Sequence, residues 1–380
     1  MAYQSLIFGI AAVLCAGLLA FTLTPIVRVL AYKIGAIDVP KDNRRMHKKP
    51  TPRIGGLAIF IAFLLTTVVF CPVNNTMIAI WAGGGLLVLI GILDDCRGIN
   101  AWLKLLVQIA AAGIAISQDI VIRHINFFGI HVELGYLAIP ITVLWIVGLT
   151  NAINLIDGLY GLACGVSAIC SISLFTVTLL FAEPQYALLT AIVAGTCLGF
   201  FPFNANPAKI FMGDAGALFL GYTFSILSIS GIFKLHAVLS FIIPLSIFGL
   251  PLFDTVLAFT RRILHGKSPF SADRGHLHHK LVDMGFGHKQ SVRILYAICG
   301  ILGISAILFT DENLYRAGFV VIVTLIIFFI IFKLLKNPVT RSLTGLENSD
   351  TRATGNGFAS YKEAEEKIHK EMEKSGWEEK

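Results

Sequence analysis

The sequence predicts an all-α integral membrane protein with about eleven transmembrane helices and a short periplasmic β-hairpin. Apolar residues make up 56% of the 380 residues and charged residues only 14%, and long apolar runs recur along the whole chain. A soluble domain averages about 25% charged residues, and a helix needs roughly 20 apolar residues to cross a bilayer. A soluble core cannot explain this composition, because a folded soluble protein still needs a polar surface.

Eleven apolar segments are predicted to span the membrane. They cover residues 4–24, 54–72, 76–93, 101–117, 136–152, 161–182, 185–202, 214–232, 237–260, 293–310 and 315–335. Between the fourth and fifth segments, residues 120–135 alternate in polarity around Gly129, which predicts the hairpin. The first segment has no basic residue before it and is followed by Arg28 and Lys33, so we expect a retained helix with its N-terminus outside.

The distribution of basic residues predicts the orientation. Residues 25–53 contain eight basic residues and residues 261–292 contain six, whereas the predicted external loops contain only Arg123, Lys234 and Arg316. The positive-inside rule therefore places the two basic segments on the cytoplasmic face. The net charge of +7 follows from this topology and from attraction to anionic membrane lipids. No nucleic-acid partner is expected, since no basic stripe lies on a soluble fold.

Two domains are predicted. Residues 1–336 form a polytopic membrane domain with a catalytic site on its cytoplasmic face, and residues 337–380 form a charged cytoplasmic tail to which we assign no chemistry. The seven cysteines lie mostly within the apolar segments and show no CxxC spacing. We interpret them as small hydrophobic residues without disulfides.

Adjacent carboxylates close the third apolar segment at Asp94 and Asp95, in the sequence LIGILDDCRG. Two acids at a helix C-terminus repel each other and the negative end of the helix dipole. A cation should compensate them, either a metal ion or the side chains of Arg97 and Lys104. The alternative is a simple helix stop with solvated acids.

Three further clusters carry acids or amides at or near predicted helix ends. Asn151, Asn154 and Asp157 lie in NAINLIDG, where they supply hard oxygen ligands or form an ordinary Asp-Gly turn. Asp214, in IFMGDAG, begins the eighth segment, so it is either a functional carboxylate or a helix N-cap. Asp254 lies inside the ninth segment, where a buried acid indicates either function or a structural ion pair.

A fifth cluster is the loop RRILHGKSPFSADRGHLHHKL, which contains His276, His278 and His279. A zinc site is one interpretation, but no cysteine or further histidine has suitable spacing. Together with Arg274 and Lys280, a set of donors facing phosphates fits better. With the oxygen-rich clusters, this predicts Mg²⁺, with Mn²⁺ as an alternative ion, and phosphoryl transfer between a soluble and a lipid substrate.

The ordered motifs TPRIGG, LDD, NAINLIDG, NPAKIFMGDAG, PLFDT and DRGHLHH, over about residues 25–290, resemble the polyprenyl-phosphate N-acetylhexosamine-1-phosphate transferases. The resemblance implies transfer of N-acetylglucosamine-1-phosphate, or a related sugar phosphate, from a UDP-sugar to undecaprenyl phosphate with release of UMP. It implies a place in the bacterial inner membrane and a role in initiating O-antigen, common antigen or wall teichoic acid synthesis. A homodimer is left open.

The resemblance also implies roles for individual residues. Asp214 matches the central Mg²⁺ ligand of the family, and Asn154 matches a second ligand. Lys104 would contact phosphate, Phe211 would stack on uracil and Asn204 would contact the nucleotide. The sugar or pyrophosphate would be bound by His276, His278 and His279, the lipid phosphate would be oriented or activated by Asp94 and Asp95, and the substrate would also be contacted by Asp157 and Arg274. Tyr160 departs from the family, because many relatives have a second aspartate there in a DGxDG sequence. Tyrosine adds bulk and removes a charge from the expected nucleotide pocket.

Two alternative functions are considered. The peptidoglycan branch of the same family transfers phospho-MurNAc-pentapeptide, and typically has a longer histidine-rich segment. A secondary transporter would also have many spans, but would place its charged site near the bilayer midplane. The acids of this chain lie mostly at one interface instead.

Overall fold

The computed structural model describes residues 2–39, 50–127, 130–181, 184–233, 241–266, 268 and 275–308, together with residues 322, 326 and 329. The elements below all belong to one compact unit, Met1–Asp38 and Thr51–Asn337. A second unit, Val39–Pro50 and Pro338–Lys380, lies almost wholly outside the described residues. The predicted charged tail is part of that unit, so its separation from the membrane domain stays a prediction.

Helices dominate the described residues. They are α1 (Ala2–Ile34), α2 (Gly56–Phe70), α3 (Asn75–Arg97), α4 (Ala101–Ser117), α5 (Ala138–Leu155), α6 (Leu162–Phe181), α7 (Pro184–Asn204), α8 (Gly213–Ser228), α9 (Ile242–Ile247), α10 (Gly249–Leu264), α11 (Leu277–Asp283) and α12 (His288–Leu308). A 3₁₀ turn, Gly135–Leu137, precedes α5, and a π-helical turn, Ile229–Phe233, extends α8. Asn74 and Asn100 cap α3 and α4, because their side chains accept hydrogen bonds from Met77 N and Trp102 N.

Seven helices in the described part of the chain are long and apolar enough to cross a membrane. They are Ile7–Ile34, Asn75–Arg97, Gly135–Leu155, Leu162–Phe181, Pro184–Asn204, Gly213–Phe233 and His288–Leu308, and α2 and α4 are shorter apolar helices. The chain is thus a mainly helical, multi-pass membrane protein. The total of eleven spans stays a prediction, since the segment 315–335 lies largely outside the described residues.

The ninth predicted span, residues 237–260, differs from the structure. Residues 237–240 lie outside the described part, and the rest is divided between α9 and α10 at Phe248, which has φ −95° and ψ 14°. Pro251 lacks an N–H, and its ring excludes the carbonyl of Ile247 from a helical hydrogen bond, so α9 cannot continue regularly through this point. The prediction of one continuous helix is wrong here.

Helix α8 forms the centre of the fold, and every one of its residues is buried. It packs against α2, α3 and α5. Glycines permit this approach: a Cβ on Gly56 of α2 would lie 1.9 Å from Gly216 N, and one on Gly91 of α3 would lie 2.4 Å from Ala215 Cα. The first turn of α8 is therefore held tightly between α2 and α3.

A short strand pair brings the TPRIGG motif to the start of α8. Strands β1 (Ile37–Asp38) and β2 (Thr51–Pro52) pair antiparallel, with Ile37 opposite Pro52. Phe211 N then donates to Pro52 O at 2.7 Å, and Gly55 N donates to Phe211 O at 2.9 Å. These bonds place Arg53 beside the residues that begin α8.

A second strand pair lies within residues 120–135, where the sequence predicts a hairpin. Strands β3 (His124–Phe127) and β4 (Ile130–Glu133) pair antiparallel from His124 opposite Glu133 to Phe127 opposite Ile130. The two residues between the strands lie outside the described part of the chain. The pairing matches the predicted alternation, while the hairpin's position on the periplasmic side stays a prediction.

Candidate active site

Asp214 lies in the first turn of α8, between two basic side chains from separate elements. Arg53 Nη2 is 3.3 Å from Asp214 Oδ1, and Lys104 Nζ is 2.9 Å from Asp214 Oδ2. Asp214 is only 8% exposed. Gly213, at φ +70°, makes the approach of Arg53 to this turn feasible, because a Cβ there would lie 1.8 Å from Arg53 O.

Asp94 and Asp95 are adjacent in sequence but contact different partners. Asp95, whose side chain is fully buried, accepts hydrogen bonds from Asp214 N at 3.1 Å and Ala215 N at 3.3 Å. It also lies 3.0 Å from Arg53 Nε. Asp94 instead lies 2.9 Å from Lys104 Nζ and accepts a bond from Ile99 N. The expected compensation by Lys104 is therefore confirmed, and Arg53 is a second compensating cation that the sequence analysis did not assign.

These contacts exclude one of the two interpretations of Asp214. Met212 holds the N-cap position of α8 and makes no side-chain capping bond, and Asp95 of α3 binds the free N–H groups of the first turn instead. The N-cap interpretation of Asp214 is therefore wrong. Its carboxylate points to the basic side chains. We call Arg53, Asp94, Asp95, Lys104 and Asp214 the acidic centre.

Asp157 lies next to the acidic centre. Burial raises the pKa of its carboxyl to about 7, against the opposing effect of Arg53 and of a hydrogen bond from Gly213 N–H, and with the negative charge of Asp214 adding to the rise. A pKa of about 7 leaves Asp157 about half protonated at pH 7. Among the described residues, the other three carboxyl groups of this cluster contact two cations. A divalent cation would suit this excess of acids over cations.

The acids of this cluster suit an open Mg²⁺ site, completed by water and phosphate, better than a site in which protein side chains supply every ligand. Within the described residues, no group of three or more His, Cys, Asp or Glu side chains converges to hold a metal. Mg²⁺ takes one or two carboxylates and fills its remaining positions with water and substrate phosphates. Of the two expected ligands, the structure places the carboxylate of Asp214 between its basic partners, whereas the metal contact of Asn154 stays a prediction. Asn154 lies near the end of α5, where its backbone oxygen accepts from Asp157 N at 3.1 Å.

The side chain of Asn151 is hydrogen-bonded to another side chain, whereas the sequence pattern offered it as an oxygen ligand for a bound ion or substrate. Its amide exchanges hydrogen bonds with that of Gln108, at 2.7 and 3.2 Å. Gln108 is 3% exposed and lies one turn beyond Lys104 on α4. This amide pair joins α4 to α5 and so contributes to the placement of Lys104. Sequence analysis missed Gln108, because a single glutamine in an apolar helix carries no motif.

Tyr160 belongs to an aromatic cluster at the edge of the site. Its ring stacks on Phe211 with centroids 5.4 Å apart and an angle of 19°, and it lies 4.8 Å from the ring of His288. Tyr160 N donates to His288 Nε2 at 3.3 Å, and His288 Nδ1 contacts Asn206 Nδ2 at 3.3 Å. A cleft of about 290 Å³ lies beside Tyr160, Asn206 and His288.

Asn204 supports the loop that leads to Phe211. Its side-chain Nδ2 donates to Ile210 O at 3.0 Å, and the residue is 1% exposed. The structure therefore assigns it a contact within the loop. The direct contact with a nucleotide that the family resemblance implies stays a prediction.

The three histidines begin the short helix α11. His276 and His278 are 5% and 2% exposed, and their rings stack at 5.7 Å with an angle of 9°. The ring centroid of His279 lies 4.2 Å from that of His278. Burial lowers the pKa of His278 to about 3, so this side chain is neutral at pH 7 and adds no positive charge. Arg274, predicted to bind substrate, lies outside the described residues.

The histidines are connected to the loop that carries Asp157. A Cβ on Gly158 would lie 2.4 Å from His278 Nε2, so the imidazole edge packs directly on that glycine. In addition, His276 Nδ1 donates to Asp254 Oδ2 of α10 at 2.9 Å. Among the described residues, no group of three or more His, Cys, Asp or Glu side chains that could hold a metal ion is formed by these histidines.

Comparison with known proteins gives two kinds of match. The model of the family described as glycosyl transferase family 4 matches residues 77–232. A protein of Bacillus subtilis (strain 168) named as a probable undecaprenyl-phosphate N-acetylglucosaminyl 1-phosphate transferase is 43% identical over 311 residues, which are 80% of this chain and 86% of that protein.

Two other groups of relatives are similar at lower identity. The decaprenyl-phosphate N-acetylglucosaminephosphotransferase of Mycolicibacterium smegmatis is 33% identical, over 77% of this chain and 80% of its own length. The phospho-N-acetylmuramoyl-pentapeptide-transferase of Staphylococcus aureus (strain JH9) is 31% identical, over 77% of this chain and 97% of its own length. The similarity therefore extends over both the acidic and the histidine motifs.

Proposed function

Because the chain belongs to the polyprenyl-phosphate N-acetylhexosamine-1-phosphate transferases of glycosyl transferase family 4, we propose that it transfers N-acetylglucosamine-1-phosphate from its UDP-sugar to undecaprenyl phosphate. UMP is the second product. The observation that carries this proposal is the acidic centre, in which Asp214 lies between Arg53 and Lys104 at the start of the buried helix α8. Phosphoryl transfer relies on such positioned charges rather than on covalent chemistry by the protein.

In the proposed reaction, an oxygen of the lipid phosphate attacks the β-phosphorus of the UDP-sugar. A new phosphorus–oxygen bond forms, the bond from the β-phosphorus to the bridging oxygen breaks, and its electron pair leaves with UMP. Phosphate monoesters have a second pKa of about 6, so the acceptor is mostly a dianion at pH 7. No protein base is therefore required, and we assign Asp94 the role of holding Lys104 in place.

Arg53 and Lys104 supply the fixed positive charge in this mechanism. Each already contacts two carboxylates, Arg53 those of Asp95 and Asp214, and Lys104 those of Asp94 and Asp214. Cations held in place by carboxylates in this way stabilise the charge that develops on phosphate oxygens. Asp95 fixes the backbone of the first turn of α8, and so the position of Asp214.

We assign Mg²⁺ to Asp214 and Asn154, with Mn²⁺ as an alternative ion. When bound, the ion would neutralise the diphosphate and orient it. The assignment is supported by the hard oxygen donors and by the excess of carboxyl groups over cations around Asp214. Both oxygens of Asp214 contact basic side chains, so we expect the ion to compete with Lys104 or Arg53 for this carboxylate.

The remaining substrate residues form a second part of the proposed site. Phe211 and Tyr160 would contact the nucleotide, Asp157 and Asn204 would line or support its pocket, and Arg274 with His276, His278 and His279 would face the sugar or pyrophosphate. The stacked rings of Tyr160 and Phe211 support the first assignment. N-acetylglucosamine is preferred over the MurNAc-pentapeptide because the relatives of higher identity are named for it.

We place the protein in the bacterial inner membrane, with its N-terminus outside and the acidic centre on the cytoplasmic side. The basic segments at residues 25–53 and 261–292 support this orientation. A soluble UDP-sugar and a lipid phosphate could then meet at the membrane surface. The product would begin a cell-envelope glycan, such as O-antigen, common antigen or teichoic acid.

Release of UMP by the purified full-length protein tests the proposal. We expect release from UDP-N-acetylglucosamine only when both undecaprenyl phosphate and Mg²⁺ are present, with Mn²⁺ giving partial activity. Faster release from UDP-MurNAc-pentapeptide would instead support the peptidoglycan branch. UMP release that does not need the lipid would contradict the transfer reaction, and release that survives a chelator would contradict the metal assignment.

A further inference from the structure

Outside the acidic centre, the buried carboxylate of Asp254 binds the start of the helix that carries the histidines. Asp254 is 4% exposed and lies on α10. Its Oδ2 accepts from His276 Nδ1 at 2.9 Å, and its Oδ1 accepts from Leu277 N at 2.8 Å. Both carboxylate oxygens are therefore directed at two consecutive residues of another element.

These two bonds act on different parts of α11. His276 is the N-cap residue of α11 and makes no side-chain capping bond of its own, and Leu277 is the first helical residue. Asp254 thus supplies from α10 the acceptor that a local capping side chain would provide. A helix of seven residues is too short to be stable alone, so its position depends on such contacts.

The hydrogen bond to Nδ1 also fixes the ring of His276. When the carboxylate accepts from Nδ1–H, Nε2 is left on the opposite edge of the ring, and its orientation is held by the carboxylate. The His276 ring stacks on that of His278, and His278 packs on Gly158 beside Asp157. A continuous series of contacts therefore leads from Asp254 to the loop next to the acidic centre.

We propose that Asp254 is a positioning residue of the transferase site: through His276 and the backbone of Leu277, it sets the location and ring orientation of residues 276–279, the histidine segment. The expected effect on transfer rests on the proposed function, whereas the expected placement of α11 by Asp254 does not. Asp254 is buried and both of its carboxylate oxygens already accept hydrogen bonds, so we assign it no substrate contact. Its contribution to the rate must therefore pass through the histidines.

Asp254→Asn in the purified full-length protein is the first test. The amide oxygen can still accept from Leu277 N–H, but the N–H₂ group can pair with His276 Nδ1 only when that nitrogen is unprotonated. The hydrogen bond is then reversed, and the ring is held in the other tautomer. We expect kcat for UMP release to fall by about 10- to 100-fold, the range found when a residue that orients a functional ligand is changed. The KM for UDP-N-acetylglucosamine should change by less than about threefold, because the contacts that bind the substrate equally in the ground state and the transition state are unaffected.

A double-mutant cycle separates positioning from general destabilisation. If Asp254 acts through His276, the double variant Asp254→Asn, His276→Gln should be no slower than the slower single variant. Independent structural damage would instead multiply the two losses. Thr255→Val is the matched control, because its hydroxyl is buried on the same helix without a hydrogen-bond partner among the described residues. We expect this control to keep wild-type kcat.

Hydrogen exchange gives a readout that does not depend on activity. Asp254→Ala, which removes both acceptor oxygens, should increase amide exchange at Leu277 and through α11, relative to α12 in the same sample. Asp254→Glu, which retains the carboxylate, should recover part of the kcat and of the protection. The proposal is overturned if α11 exchanges as in the wild type, or if the losses in the cycle multiply. A wild-type protein that releases no UMP would refute the proposed function, and the exchange measurement would still decide the placement of α11 by Asp254.

Discussion

The acidic centre and the histidine segment both adjoin the loop at residues 156–161, yet they differ in how far their charged or polar side chains are exposed. In the acidic centre, carboxylates are paired with Arg53 and Lys104, and both cations remain partly exposed, at 35% and 23% of their side-chain area. In the histidine segment, His276 and His278 are nearly fully buried and hydrogen-bonded or packed. One region holds ion pairs with partly exposed cations, and the other holds buried rings.

This difference suggests that the two regions have different roles. Ion pairs with partly exposed cations can be rearranged when a metal or a diphosphate arrives, because the charges gain new partners at little desolvation cost. The buried ring of His276 cannot easily exchange its partner, since losing the hydrogen bond to Asp254 would leave buried polar atoms unsatisfied. We therefore expect substitutions in the acidic centre to affect the chemical step most, and substitutions in the histidine segment to affect geometry and stability.

Asp214→Asn should have the largest effect. The amide removes the negative charge that faces Arg53 and Lys104 and that would hold Mg²⁺, while keeping the size of the side chain. We expect kcat for UMP release to fall by about 1,000-fold, comparable to loss of a main electrostatic group in other active sites. The assay compares UMP release at saturating UDP-N-acetylglucosamine and at rising Mg²⁺ concentrations.

Asp119→Asn is the matched control for this change. Asp119 is exposed, pairs with Arg123 and has φ +65°, a conformation that asparagine also tolerates. It should keep wild-type activity. Near wild-type turnover of Asp214→Asn at saturating Mg²⁺ would remove this residue from the metal site and weaken the contrast between the two regions.

Arg53→Gln should have the next largest effect. Arg53 is the cation of both Asp95 and Asp214, and glutamine can replace its hydrogen bonds only in part and its charge not at all. The buried carboxylate of Asp95 would then lack its counter-ion, which is costly for a buried charge. We expect a loss in kcat on the order of 100-fold, together with a lower melting temperature.

The exposed residue Arg97, at the end of the same helix as Asp95, provides the comparison for Arg53. Arg97→Gln should change neither kcat nor melting temperature measurably. Arg53→Lys should lie between wild type and Arg53→Gln, because lysine keeps the charge but cannot contact two carboxylates in the same fork geometry. Equal effects of Arg53→Gln and Arg97→Gln would indicate that general surface charge matters, and not the pairing with Asp95 and Asp214.

Much of the acidic centre could be predicted from the sequence. Acids at predicted helix ends marked Asp94, Asp95 and Asp214, because carboxylates in such places need a partner. Apolar runs likewise predicted most of the helices. Both signals are local, since they depend on composition within a few residues.

The partners and roles within the centre could not be predicted in the same way. Arg53 was counted only as one of eight basic residues, and its contacts with Asp95 and Asp214 arise from the pairing of residues 52–56 with 211–212. Asp94 and Asp95 look equivalent in sequence, yet only Asp95 points at the N–H groups of α8. The break between α9 and α10 was also missed, because hydropathy alone does not register the effect of Pro251.

The smallest expected effect concerns stability in the histidine segment. The pKa of His278 is lowered to about 3 by burial, below its ordinary value of 6.5. Below pH 6.5 the unfolded chain therefore binds a proton at this residue that the folded protein does not bind, and stability falls as the pH drops. Between pH 7 and pH 5, this single residue should remove about 2 kcal/mol of stability.

His278→Asn isolates this contribution, because asparagine does not titrate. Its stability at pH 7 should be lower than that of the wild type, since the packing on Gly158 is lost, but its further decrease between pH 7 and pH 5 should be smaller by a few degrees in melting temperature. Thr255→Val, which changes no titratable group, is the comparison and should leave the wild-type pH dependence intact. Parallel curves for wild type and His278→Asn would mean that His278 is protonated in the folded protein, and the histidine segment would then resemble the acidic centre in carrying exchangeable charge.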